Sequence, residues 1–99
     1  MKGLITDLNK AFENRIRLGI MSVLMVNPEV DFKTMKETLA VSDGNLASHT
    51  SALEKQQYIS IEKRFIGKKP NTTYKVTPTG KEAFQNHLAA LETLLNRGK

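Results

Sequence analysis

The chain has no cysteine, which removes disulfides, thiolate-bound zinc and thiol redox sensing together. Its stability must come from packing, with association between chains as a further source, and a cytoplasmic location is expected. Long apolar runs are also missing. The longest, Ile20 to Val26, is interrupted by Ser22 and falls far below the roughly 20 residues that span a bilayer, so no membrane partner is expected. The first residues carry Lys2 but no apolar stretch followed by small residues, so a secretory signal is not expected either. His49 and His87 fall on different predicted helices, without a His-x-x-His or Glu-x-x-His pair. Neither a metal nor another cofactor is therefore anticipated. There is no nucleophile with a nearby base, no carboxylate pair suited to acid–base work and no glycine-rich phosphate loop, so an enzyme is not expected.

What is present fits one domain over residues 1–99. At 39% hydrophobic residues, 99 residues supply one modest core, because small chains bury only about 60–65% of their unfolded surface. Fifteen Lys and Arg against ten Asp and Glu give a net charge of +5. Such a balance favours a polyanionic partner through long-range attraction, although many basic proteins have none.

Capping residues and apolar spacing define the elements. Thr6 or Asp7 can cap a first helix that ends before Asn27-Pro28, with Leu8, Phe12, Ile16, Ile20 and Val23 or Leu24 as its apolar stripe. Asn9 and Asn14 lower helix propensity and allow a break near Glu13 to Arg15. Asp31 is placed to cap a short second helix with Phe32, Met35 and Leu39 inward; Val41 leaves it and Ser42 caps a third. Only a tight turn fits between Leu39 and Leu46, as a helix-turn-helix requires. The third helix runs from Asp43 to about Gln57, with Leu46, Thr50 and Leu53 inward and Gly44, Ser48, Ser51, Ala52 and Lys55 outward. A polar outer face is by default a solvated one, but small side chains also let a helix lie close in a major groove.

The segment that follows argues for the second possibility. Tyr58 to Ile66 alternates as a strand, Gly67 to Asn71 is turn chemistry, and Thr72 to Val76 reads as a return strand with Thr72, Tyr74 and Val76 on one face. Lys63, Arg64, Lys68, Lys69 and Lys75 fall on this hairpin with no acidic residue between the first and last of them. A local +5 against a total of +5 leaves the remainder about neutral, the distribution expected of a phosphate-contacting surface. Thr77-Pro78, or Thr79, then opens a last helix whose Phe84, Leu88, Leu91 and Leu95 form a seam. A small core cannot cover all of that seam together with Leu4, Ile5, Leu8 and Phe12, so these eight residues are the expected interface of a two-fold dimer.

The run Ser42-Asp43-Gly44-Asn45-Leu46-Ala47-Ser48-His49, then Leu53-Glu54, Tyr58-Ile59 and a basic hairpin closing in Val76-Thr77-Pro78-Thr79-Gly80, resembles small bacterial and archaeal winged-helix regulators related to the MarR and ArsR groups. The resemblance spans Ile16-Arg17-Leu18 to Leu95. It implies a mainly α fold with a small β-hairpin: a helix-turn-helix at about 31–57, a wing at about 58–77 and a helix at 78–97 for dimerisation. It also implies a sequence-specific regulator, a repressor, that binds double-stranded DNA as a homodimer on an inverted repeat. The other expectation kept open is a winged helix that contacts another protein without reading DNA. In that group the outer face of the third helix meets bases and phosphates, which carries over to Ser42, Asn45, Ser48 and His49; Ser51 and Lys55 lie on the same face. Lys63, Arg64, Lys68, Lys69, Asn71 and Lys75 are the wing candidates, with Lys33 or Lys36 as further phosphate contacts. The chain departs from the pattern at Ala47 or Ser48, where a basic residue is usual, at Thr50, where Leu is, and at Gln56-Gln57, where Ala-Gly is. His49 lies on the shoulder of its helix, equally placed for a structural bond or a DNA contact. A small-molecule effector, if one acts, would sit between the first and last helices.

Overall fold

The asparagines near the N-terminus cap short elements where a single long helix was expected. In the computed structural model, which describes residues 3–97, Asn9 accepts the Ala11 N–H at 2.9 Å and opens a single 3₁₀ turn, Lys10–Phe12. Asn14 accepts from the N–H groups of Ile16 and Arg17 at 2.9 and 3.1 Å and opens α1, Arg15–Val26. The expected start at Thr6 or Asp7 is corrected: the residues before Asn9 form turns, because these asparagine side chains offer the backbone a better partner than a continuing helix does. The break at Glu13 to Arg15 is where it was anticipated.

The remaining helices follow their caps. Val30–Asp31 forms a short strand, β1, and Asp31 accepts the Thr34 N–H at 2.8 Å to open α2, Phe32–Leu39. That backbone bond holds the Asp31 carboxyl below the ordinary range. Ala40 turns into the left-handed region at φ 53°, and Ser42 accepts the Asn45 N–H at 3.2 Å to open α3, Asp43–Lys55. The end of α3 is a Schellman arrangement: Tyr58 N–H reaches Leu53 C=O at 3.0 Å and Gln57 N–H reaches Glu54 C=O at 2.8 Å, with Gln57 at φ 66°.

Strands β2, Ile59–Ile66, and β3, Lys69–Val76, pair antiparallel, and β1 adds to the far side of β3, giving a three-stranded sheet of order β1-β3-β2. The third strand was not foreseen. The turn is also tighter than expected: Ile66 pairs with Lys69, so only Gly67 and Lys68 lie between the strands. Gly67 at φ 64° followed by a residue at negative φ is the type II′ pattern, whose twist matches that of the strands. Pro70 is tolerated inside β3 because β1 pairs only with Thr73 and Tyr74, which leaves the Pro70 nitrogen side without a neighbouring strand.

The core is Ile20, Met21 and Leu24 of α1, Met35 of α2, Leu46 and Leu53 of α3, and Val30, Ile59 and Tyr74 of the sheet, closed by Phe12 and Phe84. Fully burying a side chain such as Leu46 or Leu53 contributes about 1.5–3 kcal/mol. Two residues assigned to a dimer face are thereby corrected. Phe12 and Phe84 are 2% and 3% exposed and pack edge to face with centroids 5.2 Å apart, so they belong to the core of their own chain.

The last helix, α4, runs Pro78–Arg97, and its start is fastened to the end of α3. The Thr77 hydroxyl accepts the Gly80 N–H at 2.9 Å and donates to Gln57 C=O at 2.7 Å, while Thr77 N–H bonds Tyr58 C=O at 3.1 Å. A Cβ on Gly80 would fall on the Tyr58 carbonyl group. Past Ala90 no described residue of α4 is buried, and the molecule is elongated, 56 × 25 × 21 Å.

Gly80→Ala should lower unfolding free energy by about 2–3 kcal/mol, because backbone has to move to admit the methyl group. Gln57→Gly should raise it by about 1 kcal/mol, since glycine occupies positive φ without a Cβ penalty. Urea denaturation of the two variants, with opposite shifts in midpoint, is the measurement.

Candidate nucleic-acid interface

Local chemistry gives α3 an outer face of small and polar side chains with one cation, Lys55. Its start, Ser42, spends one hydroxyl lone pair on its own helix, and beyond it Gly44, Asn45, Ala47, Ser48, Ser51, Glu54 and Lys55 are exposed. The inward residues Leu46, Thr50 and Leu53 are buried as expected, with the Thr50 hydroxyl donating back to Leu46 C=O at 2.8 Å. Asp43, in the first turn, is the acidic group nearest this face's leading end. Lys36 of α2 lies 2.6 Å from its carboxylate. Both side chains are largely exposed, so the pair adds at most about 1 kcal/mol to stability, but it offsets a charge that would repel phosphate. Lys36 is therefore engaged with Asp43, whereas Lys33 is exposed.

His49 has a structural partner. Nε of Arg17, on α1, donates to its Nδ1 at 3.0 Å, and the ring is half-buried. Burial, and secondly the Arg17 charge, push the imidazole below its ordinary 6.5. His87 is also occupied: it is buried, and its Nδ1 accepts the Asn9 backbone N–H at 2.9 Å. Asn9 in turn donates from Nδ2 to the Tyr58 hydroxyl at 3.0 Å, and Phe12 packs against Tyr58 at a tilt and against His87 edge to face.

The register divides the wing cations between two faces. Lys63 shares the side of Ile59 and Ile61, whereas Arg64, Lys69 and Lys75 lie on the other with Glu62 and Asn71. The expectation of uninterrupted positive charge needs correction at Arg64. Its guanidinium contacts Glu62 at 3.2 Å and Glu29 at 3.3 Å, two carboxylates brought in by strand alternation and by the loop before β1. Lys63, Lys68, Lys69 and Lys75 are exposed and have no carboxylate partner among the described residues, with Lys68 in the turn. Asn71 is half-buried opposite Arg64. Two apolar side chains stand beside these lysines: Phe65 and Ile66 are 72% and 61% exposed, which the alternation did not reveal because the strands outrun the core.

The opposite end of the molecule carries the remaining residues of the expected dimer face. Ile5, Leu88 and Leu95 are exposed at 70%, 45% and 72%, while Leu4, Leu8 and Leu91 are half-buried. An open concavity of about 560 Å³ lies there between the N-terminal turns and α4, lined by Leu4, Asp7, Asn86, Ala90 and Arg97. Among the described residues there is no group of three His, Cys, Asp or Glu able to hold a metal, and no helix long and apolar enough to cross a membrane.

This arrangement recurs in known proteins. Residues 16–95 match a family model described as a winged helix DNA-binding domain. An uncharacterized protein of Methanocaldococcus jannaschii is 32% identical over 79 residues, which covers 80% of this chain and 86% of that one. The structure of a transcriptional regulator homologue from Pyrococcus horikoshii superposes with a TM-score of 0.83 at 28% identity, over 97% of this chain and 96% of that one. A MarR family regulator from Streptomyces coelicolor, solved in complex with DNA, shares the fold with a TM-score of 0.68 at 16% identity, over 95% of this chain and 66% of that one.

The lowered titration of His49 has a sign. The fold favours the neutral ring, so the stability it contributes is complete above about pH 6.5 and is lost as pH falls through the depressed folded value. An NMR titration should place His49 below 6.5, and Arg17→Gln should move it part of the way back, leaving the burial contribution in place.

Proposed function

The chain belongs to the winged helix DNA-binding domain family, and on that premise we propose that it is a transcriptional regulator, not an enzyme, that binds double-stranded DNA sequence-specifically as a homodimer. The observation that carries the proposal is α3 itself. It is capped and packed on one side, its opposite face carries small or amide side chains and Lys55, with the exposed Asp43 and Glu54 toward its edge, and it lies beside a hairpin of four lysines without carboxylate partners among the described residues. A helix without bulk fits a groove about 12 Å wide, where Asn45, Ser48 and Ser51 donate to and accept from base edges and Ser42 reaches a phosphate. Lys63, Lys68, Lys69 and Lys75 of the wing, with Lys55 and Lys33, neutralise backbone charge. Arg64 and Asn71 set the shape of the wing and bear less on the DNA. Residues 1–99 act as one domain.

In the homodimer, Ile5, Leu88 and Leu95 with the half-buried Leu4, Leu8 and Leu91 join the two copies, and the two α3 helices enter successive major grooves roughly 34 Å apart on an inverted repeat. Occupying such a site excludes other proteins from it, so the sense of regulation is repression. The concavity beside α4 is where an effector would change the pairing of the copies. The MarR family regulator from Streptomyces coelicolor, solved with DNA, supports the geometry through its shared fold.

A second reading has one observation in its favour. Phe65 and Ile66, exposed at the wing, would suit a protein partner. A gel shift with random-sequence duplex at two salt concentrations separates the two, since salt-sensitive binding belongs to the first alone.

Replacing Lys68 and Lys69 by Glu should abolish most duplex binding and reduce the log–log salt slope by about 0.9 for each phosphate no longer neutralised. Asn45→Ala should leave the slope unchanged and cost about 1–3 kcal/mol of discrimination at one base position in a selection from random DNA. A sedimentation experiment at micromolar concentration should give a dimer, and Leu88→Glu with Leu95→Glu should give a monomer.

A further inference from the structure

Arg17 is used in a way that its charge does not explain. Among the described residues no carboxylate lies in salt-bridge contact with it. Its guanidinium reaches from the first turn of α1 to the shoulder of α3 and donates through Nε to His49 Nδ1 at 3.0 Å. A ring nitrogen that accepts is bare, so the neutral imidazole carries its proton on Nε2. Burial and the neighbouring guanidinium keep the ring in that neutral form.

The result is a cluster with donors and no acceptor. Nε2–H of His49 and both Nη groups of Arg17 have no acceptor among the described residues, and the pair carries one net positive charge. Both side chains are half-buried, so their stems are packed and the Nε bond pre-orients the fork, which reduces the entropy lost when it takes a ligand. Donors alone, with a planar cationic fork among them, match an oxyanion. His49 follows Ser48 and lies one helical turn beyond Asn45, on the flank of the face assigned to DNA.

We propose that Arg17 and His49 together form a clip for one DNA backbone phosphate, with Nη of Arg17 and Nε2–H of His49 donating to its oxygens and seating the flank of α3. This rests on the DNA-binding reading above and adds α1 to the interface. It also resolves the two roles open to His49, which become consecutive: the bond from Arg17 sets the tautomer, and the tautomer supplies the donor.

The test is a salt series on a random-sequence duplex with the full chain and two variants, each checked by circular dichroism and thermal melting. Arg17→Gln should weaken binding about tenfold at moderate salt and lower the log–log slope by about 0.9, a change that a packing role would not produce. His49→Asn keeps an acceptor near Nδ1 for Arg17 but removes the outer donor; it should weaken binding several-fold with the slope unchanged. If Arg17→Gln fails to fold, His49→Asn decides, and wild-type affinity in that variant overturns the clip. Equal slopes and affinities for wild type and both folded variants overturn the clip while the DNA reading stands. No duplex binding by wild type overturns both. Adding inorganic phosphate without duplex should leave the His49 nitrogen resonances unmoved at low millimolar concentration; saturation there would assign the cluster to a free anion and overturn DNA as its ligand.

Discussion

One point in the backbone, the Tyr58 carbonyl, fixes the relation between the elements. It accepts from the Thr77 N–H at 3.1 Å and lies against Gly80, while the Tyr58 N–H closes the Schellman end of α3. The end of α3, the beginning and end of the hairpin, and the first turn of α4 thus meet within a few residues of one peptide. The close approach excludes any side chain at position 80, and it leaves little freedom for the hairpin to hinge against α3. The N-terminal segment adds to the same point from the other side, through Asn9 to the Tyr58 hydroxyl and Phe12 to its ring.

Charge placement divides the work between the two parts of this rigid unit. Most of the cations able to follow a phosphate backbone are lysines on the hairpin, whereas α3 contributes amides and hydroxyls with Lys55 as its one lysine. Arg64 has the strongest fork on the wing, but it is spent on Glu62 and Glu29. Such exposed pairs add little to stability. Their effect is geometric, since the Glu29 pair ties β2 to the loop before β1 and holds the wing near the body, while the Glu62 pair, within β2, orients the guanidinium. Lys36 and Asp43 make a similar arrangement at the leading end of α3.

What could be read from the sequence was whatever depends on near neighbours. Asp31 and Ser42 cap the helices they were expected to cap, Thr77 is the one of the two candidates, Thr77 and Thr79, that caps α4, and Leu46, Thr50 and Leu53 are the buried face of α3, because capping and helical periodicity act over a few residues. The hairpin was legible in type but not in length, since the turn residues Gly67 to Asn71 suit either a long loop or the two-residue turn that register selects. What remained hidden depends on distant parts of the chain. Phe12 and Phe84, 72 positions apart in numbering (84 − 12), look like free seam residues until each is found to cover the other. Glu29 lies 35 residues from Arg64, and His49 lies 32 from Arg17; neither partner is written in a local pattern. The two-residue strand β1 is too short for alternation to register at all.

Helix α4 is also a mechanical part. A 20-residue helix is about 30 Å long, so a tilt of about 10° about its first turn carries its far end through about 5 Å. That first turn is clamped to the end of α3, while the far end carries Leu95. In the proposed homodimer the helix is therefore a lever with a short arm at the DNA and a long arm at the partner. Displacements of several ångströms between the two copies would be geared down to small rotations of each α3, and the preferred spacing of half-sites would report one angle at Gly80.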